Sequence, residues 1–512
     1  MRFGVFGIGS TQYPRCGWAC MRAGSRAQVQ LVGEEAGAAA GATRCTCTLC
    51  PRRGGRAERR GVGVWAALER WSEGLWAALE AAHPLPPGLE RLSEDELLPA
   101  SFSVAVSVAA GGPGVEVPIR VRGRVRARVL RNARITAEEH WQEVRHVVLG
   151  VDGAVEYRPG DRVVLYPKNP EREVSVLLEC MGWAGIADAP LSIISRERQG
   201  EWGVWGEGGE GRTTLRHLFT EVLDFMSVPR RTFFEFLAHF TENRAFAEKM
   251  RHFCTQEGQE DMYSYAGWPR RTILEVIQDF WPVNVPLDYI FDVFPVMRGR
   301  KFSIASSWRV NPGRIDLCVA IVKYKTVLRG FRYGVCTRWV SVLSEGMEIG
   351  IDVLPGVLRK TGSPMVPIVL VGPGTGVSPL RSLIQERIFE GSKDNVLFFG
   401  CRSKDKDFLF RDEWMGYCSS GNLILLTAFS RDQDEKKYVQ HIMEEHSKIV
   451  YDYLYNKQGI LYLSGNSRFM PEVVKQAFLN ILMKEGNFTF EQSKACLLAM
   501  EKGGRYMQET WS

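Results

Sequence analysis

The chain has 512 residues, 45% of them hydrophobic and 24% charged, which is apolar material for two to four domains and excludes fibrous and wholly disordered classes. Its 65 lysines and arginines against 59 acidic residues leave a net charge of +6, too mild on this length to imply a nucleic-acid partner. No apolar run approaches the ~20 residues of a membrane helix, and the first residues lack a secretory h-region, so a cytoplasmic protein with no membrane partner is expected.

Residues 22–60 are crowded with Gly, Ala and Arg, and the first lysine of the chain is Lys168. Such a bias reads as a linker. Within it, Cys45, Cys47 and Cys50 form a C-x-C-x-x-C run whose possible fourth ligands, Cys16, Cys20 and His83, are distant, and no metal site is expected. The other cysteines, with Cys318 and Cys401 inside apolar strand-like runs, read as reduced thiols. Trp65, Leu68, Trp71, Leu75 and Leu79 keep a helical spacing that stops at the proline-rich segment after His83.

Alternating runs at residues 121–130 and 145–151, a Pro159-Gly160 turn and a further run at 162–166 open a β domain. Over residues 213–280 the period changes. Phe233, Phe236, Leu237 and Phe240 share one helical face, as do Ile273, Val276, Ile277 and Phe280, which predicts a helical insertion. Strand signals resume at 301–306, 314–324 and 339–343. Beyond Pro355 strands at 366–371, 395–399, 422–429 and 460–464 alternate with helices at 379–389, 439–454 and 471–483. That order predicts a parallel, doubly wound sheet.

Four stretches carry chemistry. Gly372-Pro-Gly374-Thr375-Gly376 follows an apolar strand and precedes a helix, where glycines let the backbone approach a diphosphate and free N–H groups attract its charge. A tight turn with no ligand is the other reading. At the end of another predicted strand, Ser430 and Arg431, followed by Lys436, Lys437, Tyr438, Val439 and Gln440, gather a hydroxyl, a guanidinium and an ammonium suited to a phosphate monoester. Tyr438 offers a ring for adenine. An exposed charged loop is the other reading. Upstream, Arg300-Lys301-Phe302-Ser303 places Arg300 and Phe302 on one strand face and Lys301 and Ser303 on the other. Gly334-Val335-Cys336-Thr337 supplies backbone N–H groups ahead of an apolar helix or strand.

These stretches, with Phe399-Gly-Cys401-Arg402 and the terminal Glu509-Thr-Trp511-Ser512, occur in the order found in the diflavin reductase family. Segments such as Ser227-Val-Pro-Arg-Arg-Thr-Phe-Phe-Glu and Pro269-Arg-Arg-Thr-Ile-Leu-Glu-Val are most similar to its diflavin oxidoreductase branch. The resemblance implies an α/β plus β fold: a ferredoxin-reductase-like FAD β-barrel at 126–355 with a helical insertion at about 205–285, then a doubly wound parallel NADPH-binding sheet at 356–512. It implies that Arg270, Arg300, Lys301, Phe302, Ser303 and Gly334 through Thr337 hold FAD, with Phe302 where most of the family has tyrosine. Gly374, Thr375 and Gly376 would meet the NADPH diphosphate. Ser430, Arg431, Lys436, Lys437, Tyr438, Val439 and Gln440 would meet its 2′-phosphate and adenosine. Ser303, Cys401 and Glu509 would stand at the redox centre, where many relatives carry aspartate in place of Glu509, with Trp511 covering the flavin.

The family begins with an FMN domain. Here Gly7-Ile-Gly9-Ser10-Thr-Gln-Tyr13 is similar to that domain's third flavin loop, so residues 1–82 are expected to be a partial flavodoxin-like remnant that holds FMN poorly, with 83–125 as a linker. The resemblance implies hydride transfer from NADPH to FAD and onward electron flow, through FMN in the complete family member, to the iron–sulfur assembly protein anamorsin. A methionine synthase reductase-like enzyme, or a partner-binding chain that passes no electrons, are the other readings.

Overall fold

The computed structural model describes residues 4–8, 17–21, 29–32, most of 71–81, 96–106, 125–152, 155–195, 211–328, 330–359 and 363–511. They form two compact units, Met1–Pro99 with Pro229–Arg271, and Ala100–Val228 with Thr272–Ser512.

In the first unit β1 (Gly4–Ile8), β2 (Gly17–Met21) and β3 (Val29–Val32) pair antiparallel. Residues 9–13 of the loop similar to a flavin loop, and the Cys45, Cys47 and Cys50 run, lie outside the described residues. Helices Arg231–Leu237 and Arg244–Cys254 follow, the second opened by Asn243, whose side chain accepts from the Phe246 N–H. Phe233, Phe234, Leu237, Met250 and Phe253 are buried. Phe236, assigned to the apolar face, is only half-buried.

The second unit holds an antiparallel barrel of β4 (Val125–Arg134), β5 (Val144–Val151), β6 (Arg162–Leu165), β7 (Arg300–Ser303), β8 (Arg314–Ala320) and β9 (Glu348–Leu354), in the order β7-β6-β9-β4-β5-β8. A bridge between Ile304 and Leu317 brings the two ends together. The alternation has a direct cause: along β4 Ala127 and Val129 point into the barrel while Arg126 and Arg128 face water. Val147, Leu149, Val163 and Leu317 complete that core.

One predicted strand is corrected. Residues 339–343 follow a Val335–Ser341 helix into its end, because Cys336, Val340 and Leu343 repeat at helical spacing and bury against the barrel core.

The parallel sheet follows as β10 (Ile368–Val371), β11 (Asn395–Cys401), β12 (Ile424–Phe429), β13 (Ile460–Asn466) and β14 (Tyr506–Trp511), ordered β12-β11-β10-β13-β14. Val369 and Val371 pack one face, Ile368 and Leu370 the other, as a sheet covered by helices on both sides requires. Helix Val377–Phe389 lies against the second face. Among the described residues no helix is long and apolar enough to cross a membrane.

Candidate active site

Glycines shape the turn after β10. Gly374 takes a φ of +56°, and a Cβ on Gly376 would lie 2.3 Å from the carbonyl oxygen of Ser464 on β13. Only glycine lets this turn rest against the strand. Thr375 is half-exposed, and its carbonyl accepts from the Ser378 hydroxyl at 2.9 Å. The helix that starts at Val377 has no side-chain cap, and the Val377 N–H bonds back to the Gly374 carbonyl, so what the helix offers an anion is the positive end of its dipole beside the glycine turn.

The next two strand ends are tied together by the backbone. The Ser430 N–H donates to the Cys401 carbonyl at 3.0 Å, and the Arg431 N–H to the Arg402 carbonyl at 2.8 Å. Arg402, Lys406 and Arg431 line a cleft of about 630 Å³ with Trp141, on whose ring the Arg402 guanidinium sits at 4.2 Å. Burial, and then the Arg431 charge, lowers the pKa of Arg402, while Asp407 opposes them. Cations gathered this closely fit an anion bearing more than one charge. Sequence reasoning missed Trp141, which comes from the segment between β4 and β5. It quoted Arg402 in a motif without giving it a role.

The stretch after Arg431 divides. Lys436 and Tyr438 are exposed. Lys437 is paired with Glu445 at 2.7 Å, and the Gln440 amide lies 3.5 Å from the His441 ring. The Val439 side chain packs in the sheet core, against Gly400, whose missing Cβ makes the room; only its backbone is left for a ligand.

On the barrel, β7 carries Arg300 and Phe302 half-buried and Lys301 exposed. The Arg300 charge acts on Cys336 and Asp224, so β7 and the Val335–Ser341 helix come close together. Burial pushes the Cys336 thiol up to about 12. Thr337 spends its hydroxyl on backbone, accepting from the Val322 N–H at 3.0 Å and donating to the Gly334 carbonyl at 3.3 Å. The cradle here is therefore main chain around Gly334 and Val335, with no side-chain cap on the helix. Arg270 belongs to the first unit and takes a φ of +57°.

Barrel and sheet meet where the Ser303 hydroxyl donates to Glu509 Oε1 at 2.9 Å. Glu509 is buried and its Oε2 has no hydrogen-bond partner. Burial raises its pKa, against the Ser303 hydrogen bond and the Arg162 charge. Trp511 follows two residues on, on the same face of β14, and is 39% exposed. Cys401 ends β11, with β10 and β13 standing between it and β14. Burial first, and then Asp407, raise its pKa, so it stays a neutral thiol.

Both halves fit the dinucleotides that the sequence implies: the sheet has a glycine turn that a Cβ on Gly376 would fill, and the barrel a backbone cradle at Gly334, where a Cβ would lie 3.0 Å from Val322. The FAD binding domain family matches residues 118–339, and the oxidoreductase NAD-binding domain family matches residues 370–475. NADPH-dependent diflavin oxidoreductase 1 of Schizosaccharomyces pombe is 39% identical, over 100% of this chain and 85% of its own length. The Xenopus laevis protein of that name is 35% identical over the same shares, and the Danio rerio protein 35% over 88% of this chain and 77% of its own. With a ferredoxin-reductase-like FAD barrel leading into a parallel NADPH sheet, this oxidoreductase belongs to the NADPH-dependent diflavin oxidoreductase family.

Proposed function

We propose that the chain takes electrons from NADPH onto FAD and passes them on, through FMN in the complete family member, to an anamorsin-like acceptor in cytosolic iron–sulfur cluster assembly. The Ser303–Glu509 hydrogen bond carries this reading, because it puts a hydroxyl from the barrel and a carboxyl from the sheet at one point between the two dinucleotide halves. In it, residues 126–355 form the FAD domain and 356–512 the NADPH domain. Arg300, Lys301, Phe302 and the Gly334–Thr337 backbone hold FAD. Gly374, Thr375 and Gly376 hold the NADPH diphosphate, and Ser430, Arg431, Lys436 and Tyr438 its adenosine end.

Bound there, FAD supplies the redox chemistry, accepting hydride from NADPH and releasing electrons singly. The side chains position and shield. Ser303 would orient Glu509, Cys401 would offer a neutral thiol, and Trp511 would cover the flavin until nicotinamide displaces it. Trp511→Ala is expected to raise turnover with NADH about 2- to 10-fold, the worth of one aromatic stacking contact. Stopped-flow reduction by NADH checks this, and an unchanged rate would mean that Trp511 does not cover the flavin.

The reading is tested by releasing and quantifying flavin from the purified chain, then titrating it anaerobically with NADPH. One FAD per chain, bleached by NADPH, with FMN below stoichiometry, is the expected result. Equal FAD and FMN would show a working FMN site. FAD that NADPH does not bleach would leave a partner-binding chain that passes no electrons.

A further inference from the structure

Arg162 opens β6, and in the antiparallel ladder it stands directly opposite Ser303 of β7. Directly opposed residues project from the same face, so the guanidinium lies beside the hydroxyl that holds Glu509. One nitrogen of Arg162 is used, Nη2 donating to the Pro355 carbonyl at 3.1 Å. Its Nε is buried without a hydrogen-bond partner, as is Oε2 of Glu509. Two residues of opposite charge whose fields act on one another thus each keep a buried unsatisfied atom, a costly arrangement unless it does something there.

We propose that Arg162 is a positioning residue of the redox site, its guanidinium fixing the charge and orientation of Glu509 and keeping a positive field over the place where the flavin is reduced. This rests on the reading that the Ser303–Glu509 pair marks that place. The charge bookkeeping supports it. Burial raises the Glu509 pKa, and Arg162 is the charged group that opposes burial. Ser303 on β7 and Ser464, paired with Glu509 in the sheet register on β13, carry no charge. Removing the positive charge therefore moves the Glu509 titration to higher pH and makes the flavin harder to reduce.

The experiment measures two quantities on the FAD-loaded chain: the pH dependence of flavin reduction by NADPH, in stopped flow, and the flavin midpoint potential, in an anaerobic spectroscopic titration. Wild type is compared with Arg162→Gln, Arg162→Lys and Glu509→Gln. Arg162→Met gives the same neutralisation at similar length should the glutamine variant not fold. Glu509→Gln is expected to abolish one limb of the pH profile. Arg162→Gln is expected to shift that limb upward and the potential to a more negative value, and Arg162→Lys to return both toward wild type. A Glu509-dependent limb that stays in place in both neutral variants, with the potential unmoved, overturns the role of Arg162 and leaves the site standing. A profile that Glu509→Gln does not alter removes the site reading, and the role of Arg162 with it.

Discussion

Arg431→Ala is expected to raise the KM for NADPH about 10- to 100-fold while changing the KM for NADH little. The side chain is exposed, but its backbone is fixed by the N–H bond to the Arg402 carbonyl, and the guanidinium shares a cleft with Arg402 and Lys406. NADPH differs from NADH by a 2′-phosphate, close to doubly charged near neutral pH. A hydrogen bond to a charged group contributes about 1.5–3 kcal/mol, or about 10- to 150-fold in affinity. This contact is remote from the reacting atoms and equal in ground and transition states. It therefore enters KM and leaves kcat unchanged. Steady-state kinetics with both cofactors, repeated across a salt series, check it, since salt screens exposed charges and should shrink the NADPH advantage. Equal losses for NADPH and NADH would take the phosphate away from Arg431.

What could be read in the sequence follows from how each element is buried. Parallel strands covered on both faces appear as unbroken apolar runs, so β10, β11 and β13 are visible in the sequence as the runs at 366–371, 395–399 and 460–464. The barrel showed itself by alternation, with Arg126 and Arg128 outside Ala127 and Val129. Short apolar runs are ambiguous between helix and strand, and residues 339–343 were misread for that reason. The edge strand β14 mixes polar and aromatic residues, Tyr-Met-Gln-Glu-Thr-Trp, and carries no strand signal of its own. Glycine turns and clustered cations announce themselves locally. Ser303 and Glu509 are 206 residues apart, so no spacing rule could join them, and resemblance to a family was the sole guide. Trp141 against Arg402, and Arg162 beside Ser303, needed the folded chain.

The two dinucleotide halves also share a buried polar joint. Helix Val377–Phe389 starts at the glycine turn and runs along the segment that follows β7. Ser382 donates to the Ser306 carbonyl at 2.6 Å, the Ser307 N–H donates to Gln385 Oε1 at 2.9 Å, and Arg381 Nη1 donates to the Ala305 carbonyl at 2.6 Å. The turn offered to NADPH and the strand offered to FAD are thus fixed to the same helix. Small shifts in this joint would change the distance between the reacting centres, to which rates are steeply sensitive.

Asp316 of β8 sits at the middle of that joint, and Asp316→Ala is expected to destabilise this unit by about 3–5 kcal/mol at neutral pH, the usual cost of stranding a buried charge. Its carboxylate is fully buried and accepts from His146 Nε2 at 2.9 Å, from Arg314 at 2.6 and 2.9 Å, and from Arg381 Nη1 at 3.1 Å. Arg381 is itself buried, and Glu413 is its other acidic partner. Removing Asp316 leaves that guanidinium and His146 facing a cavity. Burial alone would raise the Asp316 pKa, but the hydrogen bonds from His146 and Arg314, with the Arg381 charge, outweigh it and hold the carboxyl well below the usual carboxylate range. A folded-state pKa below the unfolded one stabilises at pH above the unfolded value of about 3.9 and stops doing so as pH falls through the folded value. The gap between wild type and Asp316→Ala in urea or thermal unfolding should therefore be full near pH 7 and narrow below about pH 4. Where the variant still folds, NADPH should reduce its FAD more slowly at unchanged FAD content, because the joint sets the approach of the two halves. Equal unfolding curves at pH 7 would show that Asp316 holds nothing that the barrel and the helix do not already hold by packing.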